Sequence, residues 1–354
     1  MPTRARNAAP VDRGDRASLA ARRPAIGLRV RGLSLSLAAL ATAGLDGVAW
    51  AGPTLDRVKA SGAIRCGAVA RPGLLDQKAD GTPSGLLVDL CRAIGVAAGG
   101  SSVTVRVTVY DSDRSYDEVR AGRDDVFFLS GAEIVEQRLA SFVAPGPPAF
   151  HEAIALMVAG ASAAQRPDDL ADQPICFLQG DASHHRLEAY FAAKRLPFIR
   201  MGYQEEDEMH DAFDSGQCHA MAGEATTLAA VRLEGGKTLR SGRILAEPLA
   251  SFPIIVATAP SDGAWAALAF WTVDMLIDAD RPKRDWAAGG LDNLPIDAPA
   301  LGLAKGWRER VLAATGGYVE IFRRHVGDAS PLDLPLGPNA LASEGGLMAP
   351  PDAE

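Results

Sequence analysis

Short apolar runs alternate with amphipathic stretches on both sides of Pro145-Gly-Pro-Pro148, and this repeat constrains the fold more than any other feature of the chain. Ala63 to Val69 reads as a strand, and Leu86 to Val96 as a helix with Leu87, Leu90, Cys91 and Ile94 on one face. Val103, Val105, Val107 and Val109 alternate with polar residues, a helix follows from about Ser115 to Ala121, and Val126 to Leu129 is a buried strand. The order βαβαβ implies a parallel sheet with right-handed crossovers. A second unit repeats it: strand Ile175 to Leu178, a turn at Gly180, and a helix bearing Leu187, Tyr190 and Phe191. Then come strand Phe198 to Met201, an acidic helix from Glu205 to Phe213, strand His219 to Ala222 and a helix from Ala225 to Arg232. Ala153 to Val158 and Gly242 to Thr258 are extended passages that read as two crossings. Two α/β lobes so joined make a hinge with a cleft, and ligands favour the carboxyl ends of such strands.

The first 51 of the 354 residues stand apart, with eight Arg, three Asp and no Lys or Glu. Gly32 to Leu45 carries no charge, and Ala49-Trp50-Ala51 supplies a small-x-small cleavage site, so residues 1–51 read as a secretory signal. The apolar run is too short to span a membrane. Without this segment 28 basic residues face 41 acidic ones, a formal charge of −13. An acidic exported protein points to small molecules or proteins as partners and away from nucleic acid and anionic membranes. Cys66, Cys91, Cys176 and Cys218 all lie in the mature part, and an even number in an exported chain implies disulfides. Three connectivities are possible. Cys66 with Cys91 and Cys176 with Cys218 is favoured, because each pair then stays within one βα neighbourhood. Buried free thiols are the competing reading, and no C-x-x-C spacing supports zinc.

Three further helices follow the second crossing, Trp265 to Ile277, Trp307 to Leu312 and Tyr318 to Arg324, before a Pro/Gly/Leu-rich coil from Ser330. At the start of the second lobe's first helix, Asp181 or Ser183 can cap unpaired N–H groups, where a small anion could sit. An ordinary capped connection explains the same residues.

The mature chain resembles the periplasmic solute-binding proteins of polar amino acid ABC importers, family 3, and within them the general L-amino-acid-binding branch. The fragments that carry this are Thr54-Leu-Asp-Arg-Val-Lys59, Gly85-Leu-Leu-Val-Asp-Leu-Cys-Arg-Ala93, Cys176-Phe-Leu-Gln-Gly180 and Trp271-Thr-Val-Asp-Met-Leu-Ile277. A C-terminal series adds Gly317-Tyr-Val-Glu-Ile-Phe322, Ser330-Pro-Leu332, Asn339-Ala-Leu341 and Gly345-Gly-Leu347. The resemblance implies a type II periplasmic-binding-protein fold, with lobe 1 formed by 52–150 and 253–354 and lobe 2 by 151–252. It implies a periplasmic, monomeric protein that captures an amino acid or related zwitterion and delivers it to an inner-membrane permease, with no enzymatic activity and no cofactor.

The same resemblance assigns the ligand's carboxylate to Arg138, whose guanidinium suits bidentate contact. It adds backbone N–H groups near Ser130 and Gly131 and the loop Gly180, Asp181, Ala182 and Ser183. The family's ammonium-binding Asp falls at Glu224. This chain departs from the pattern in three places. Asp181 stands where the family has a hydroxyl, Ser112 where many members have a covering aromatic, with Tyr110 or Tyr116 as substitutes, and segment 126–138 is one residue longer. These departures leave room for a binding-fold protein with another solute or an accessory role, or for a dehydratase-like enzyme using Glu224 or Asp181 as an acid. His184 and His185 sit beside Asp181, but adjacent helical residues point about 100° apart and rarely serve one metal ion. N-terminal sequencing of the exported protein should start at or near Gly52; a product that retains the Arg-rich segment overturns this reading.

Overall fold

A computed structural model describes residues 52–111, 113–281 and 296–349. The signal-segment reading and Ser112 lie outside the described residues. Strands β1 (Ala63–Ala68), β4 (Thr104–Val109) and β5 (Val126–Ser130) form the first parallel set, in the order β4-β1-β5. The helices between them are α2 (Leu86–Gly99) and α3 (Asp113–Arg120), with α1 (Pro53–Ser61) ahead and a two-stranded pair, β2 (Asp76–Gln77) and β3 (Pro83–Ser84), before α2. In lobe 2, β7 (Pro174–Leu178) lies between β8 (Ile199–Tyr203) and β9 (Ala220–Glu224), all parallel. Helices α5 (Ala182–Lys194) and α6 (Glu206–Asp214) make the crossovers, and α7 (Ala225–Glu234) and α8 (Lys237–Arg240) follow.

Two long antiparallel strands join the sets into one sheet: β6 (Ala144–Val158) and β11 (Ala250–Thr258), with β10 (Arg243–Ile244) on the side of β6. Strand β6 therefore runs through Pro145, Pro147 and Pro148, where the sequence reads as a break in the pattern. Proline supplies no ladder donor, and the pairing with β11 accommodates this through irregular register between Ile254 and Ala257. The second half of β6 pairs with β9 from Ile154↔Glu224 to Val158↔Ala220, so a single strand serves both lobes.

The period-two alternation of the strands is visible in the cores. Val126 and Phe128 of β5 face one core while Phe127 and Leu129 face another, and Ile154, Leu156 and Val158 of β6 are likewise separated from Ala155 and Met157. Eleven of the fourteen residues of α2 are buried, because helices α9 (Gly263–Asp278), α10 (Trp307–Thr315) and α11 (Tyr318–His325) cover the side that a surface helix would expose. The C-terminal coil is anchored on the crossing itself. Asn339 Oδ1 accepts the His151 N–H at 2.7 Å and the Tyr318 hydroxyl at 3.1 Å, and its Nδ2 donates to the His151 carbonyl at 2.9 Å. Arg232 on α7 donates to the Leu332 carbonyl at 2.6 Å, tying the coil to lobe 2 as well. Among the described residues no helix is long and apolar enough to cross a membrane.

Both disulfides form with the local pairing, Cys66–Cys91 between β1 and α2 and Cys176–Cys218 between β7 and the residues before β9. They close separations of 25 and 42 residues, which by loop-closure entropy correspond to about 3.5 and about 4 kcal/mol. Urea unfolding of the Cys176→Ser/Cys218→Ser protein should show a loss of that order; an unchanged midpoint would show that lobe 2 rests on its apolar core alone.

Candidate functional site

The strands that point toward the cleft end in polar residues. Strand β1 runs into Val69-Ala70-Arg71-Pro72, β5 into the short helix α4 (Gly131–Glu136), β7 into Gly180 and Asp181, and β9 into Glu224 at the start of α7. Arg71 is the centre of what assembles there. Its Nη1 and Nη2 donate to Glu133 Oε1 at 3.3 and 3.2 Å, and its Nε lies 3.4 Å from Glu224 Oε2. Glu133 belongs to lobe 1 and Glu224 to lobe 2, so one guanidinium spans the cleft. The Arg71, Glu133 and Glu224 side chains are 13, 12 and 26 % exposed, which takes this contact out of the class of screened surface pairs.

Burial opposes the charge on Arg71, but Glu133 and Glu224 outweigh it and raise the pKa. Glu224 shifts up because it is buried, an effect that Arg71 partly offsets and that Glu133 and Asp181 reinforce. Behind it Glu152 on β6 is fully buried, and burial together with the Glu224 charge pushes its carboxyl up to about 7. Its oxygens accept the Thr226 hydroxyl at 2.7 Å and the Ala153 N–H at 3.0 Å. One guanidinium thus acts on three carboxyl groups, Glu133, Glu224 and Glu152, and Asp181 joins the network through its action on Glu224.

The residues named from the sequence take distinct places. Glu224 and Asp181 act on one another electrostatically within this group. Gly180 has φ +86°, a conformation that favours glycine, and the turn lets Asp181 become the N-cap of α5. Asp181 accepts the His184 N–H at 2.7 Å and the Ser183 hydroxyl at 2.8 Å; Ser183 is buried and Ala182 exposed. Ser130 is buried in a capping box, its N–H donating to Glu133 Oε2 at 2.6 Å and its Oγ accepting the Glu133 N–H at 3.2 Å, while Gly131 is exposed. Arg138 is exposed in a left-handed conformation, φ 53°, and among the described residues no ion pair or side-chain hydrogen bond ties it to this network.

Tyr110 and Tyr116 do not cover the cleft. They pack against each other in the lobe 1 core, 1 and 7 % exposed, with the Tyr110 hydroxyl donating to Asp124. His184 Nδ1 accepts the Gly180 N–H and its ring stacks on Phe177, and among the described residues no group of side chains could hold a metal ion. Sequence reasoning missed Arg71 and Glu152. The available signal was position: Arg71 is the one charged residue between Arg65 and Asp76, just past a strand end, and Glu152 is the one acid between Pro145 and Val158.

Two α/β lobes and a two-strand hinge define the type II periplasmic-binding-protein fold, here with charged groups at the strand ends. No family model matches the chain. It is 26% identical over 319 residues to the general L-amino acid-binding periplasmic protein AapJ of Rhizobium johnstonii, covering 84% of this chain and 92% of that one. It is 25% identical over 336 residues to the glutamate/glutamine/aspartate/asparagine-binding protein BztA of Rhodobacter capsulatus, covering 88% and 97%. Among solved structures, an ABC transporter periplasmic binding protein from Brucella ovis with glutathione bound matches with a TM-score of 0.64 at 24% identity, covering 84% of this chain and 98% of that one. The chain is thus similar along most of its length to binding proteins of amino-acid ABC transporters, the resemblance that its sequence fragments carry.

A carboxyl whose folded pKa lies above its unfolded value holds its proton more tightly when folded. The stability that Glu152 contributes is therefore whole below the ordinary value of 4.5 and is lost as pH rises through about 7. The difference is on the order of 3 kcal/mol. Glu152→Gln keeps an amide oxygen for Ala153 and an NH2 for Thr226. Urea unfolding from about pH 5 to about pH 8 should give a flatter profile for this variant and higher stability at the alkaline end. Parallel wild-type and variant profiles would mean that Glu152 is ionised throughout.

Proposed function

We propose that this protein is the periplasmic substrate-binding component of an ABC importer, capturing an amino acid or related small zwitterion in its cleft for an inner-membrane permease. The observation that carries this is Glu224, a mostly buried acid at the end of β9, facing a guanidinium of the opposite lobe. An ammonium group bound there gains a charge-assisted partner in a desolvated cleft, and its arrival brings the two lobes together. The four carboxyl groups favour a ligand that brings positive charge. Lobe 1 then comprises 52–150 and 253–354 and lobe 2 comprises 151–252, with the two crossings as the hinge. The curated relatives are binding proteins, and their names support delivery to a permease over catalysis.

Removing one side of a desolvated charge pair costs about 2 to 5 kcal/mol, or roughly 30-fold to several thousand-fold in affinity. Calorimetry against the twenty amino acids should find binding to the wild type that is lost to this extent in Glu224→Ala. The variant should remain folded, because Arg71 keeps Glu133. A folded wild type that binds none of them would sink the proposal.

A further inference from the structure

We propose that Arg71, and not Arg138, receives the ligand's carboxylate, and that the ligand enters by inserting its two charges into the Arg71–Glu224 ion pair. This rests on the amino-acid reading above and names the residue on which that reading turns.

A zwitterion needs a cationic and an anionic partner a few ångströms apart, facing each other across the closing cleft. Arg71 and Glu224 provide both. Arg71 makes a single contact to Glu224, at 3.4 Å, against two to Glu133, at 3.3 and 3.2 Å, so the Glu224 contact is the one more readily given up. The Arg71–Glu133 contact lies within lobe 1, and Glu133 is itself fixed: its Oε2 takes the Ser130 N–H at 2.6 Å, which leaves Oε1 for the guanidinium. When the lobes part, Arg71 stays with Glu133 and separates from Glu224. Arg71 and Glu133 then balance one another, so an arriving carboxylate meets no net repulsion and finds the Nε–H that Glu224 has released, while Glu224 presents its negative charge to the ammonium.

Three other groups that could serve a carboxylate are engaged. The Ser130 N–H is bound by Glu133, and the Ser183 hydroxyl and His184 N–H are both bound by Asp181. Asp181 thus closes the helix N-terminus to anions, because a negative side chain fills the place an anion would take. Arg138 is exposed and outside the network. Arg71 is the cation left within it, and its guanidinium can exchange Glu224 for a ligand carboxylate while the ligand's ammonium takes Glu224, so the cleft gains no net charge.

The test separates the carboxylate from the rest of the ligand. The twenty L-amino acids are screened against the wild type by calorimetry, and the tightest binder is then compared with its α-carboxamide, which keeps the ammonium and lacks the carboxylate. Wild type should prefer the acid by about 30-fold or more. Arg71→Ala should bind acid and amide within about threefold of each other, with the loss falling on the acid. Arg71→Lys keeps the charge without the fork, gives the same readout if the alanine variant does not fold, and should show a reduced preference. Full acid preference in both Arg71 variants overturns the assignment while leaving the amino-acid reading intact, and so does its loss in Arg138→Ala alone. If no amino acid binds the folded wild type, the amino-acid reading fails and this assignment falls with it.

Discussion

The antiparallel pairing of β6 with β11 is the interaction on which the architecture depends. Strand β6 is 15 residues long, about 50 Å of extended chain, and it spends one half in the ladder of lobe 1 and the other in that of lobe 2. Because both crossings are strands of one sheet, bending between lobes is a twist of paired backbone. The prolines of β6 and the register shifts opposite them sit in the lobe 1 half, beyond the stretch that meets β9. The hinge is braced from behind by Asn339, which satisfies both backbone groups of His151.

That arrangement brings charges from separate lobes into a low-dielectric gap, where each carries a cost unless paired. Arg71 answers most of it, holding Glu133 directly and Glu224 more loosely. Among the described residues Glu152 has no cation in contact; burial and the Glu224 charge raise its pKa, and the Thr226 hydroxyl and backbone donors offset this only in part. Such an imbalance, four carboxyl groups in a network with one guanidinium, is hard to explain as a device for stability, since apolar residues would fill the space more cheaply. It makes sense for a cleft that is completed by a ligand.

Much of this was legible in the residues. The βαβαβ repeats, the two crossings, the local disulfide pairing and a helix cap at Asp181 or Ser183 follow from periodicity, turn chemistry and spacing, all of which act over a few residues; the structure selects Asp181. Helix α4 was missed although Ser130-Gly-Ala-Glu133 carries a capping-box signature, because six residues are too few for a helical period to register. The continuity of β6 was missed for a different reason: local backbone preferences mark Pro145-Gly-Pro-Pro148 as a break, and only the long-range ladder with β11 overrides them.

By itself the sequence determined the class of fold, the hinge and the acidic character of the chain, since these are set by local patterns and by sums over composition. Tertiary structure alone decided which charges meet. Arg71, Glu133 and Glu224 are separated by 62 and by 91 residues along the chain. Nothing in the spacing of Arg71 distinguishes it from a surface arginine, and nothing in the spacing of Arg138 marks it as exposed. A guanidinium becomes part of a site only when strands from two lobes end within a few ångströms of it, and that distance is set by the packing of both cores and the twist of the sheet between them.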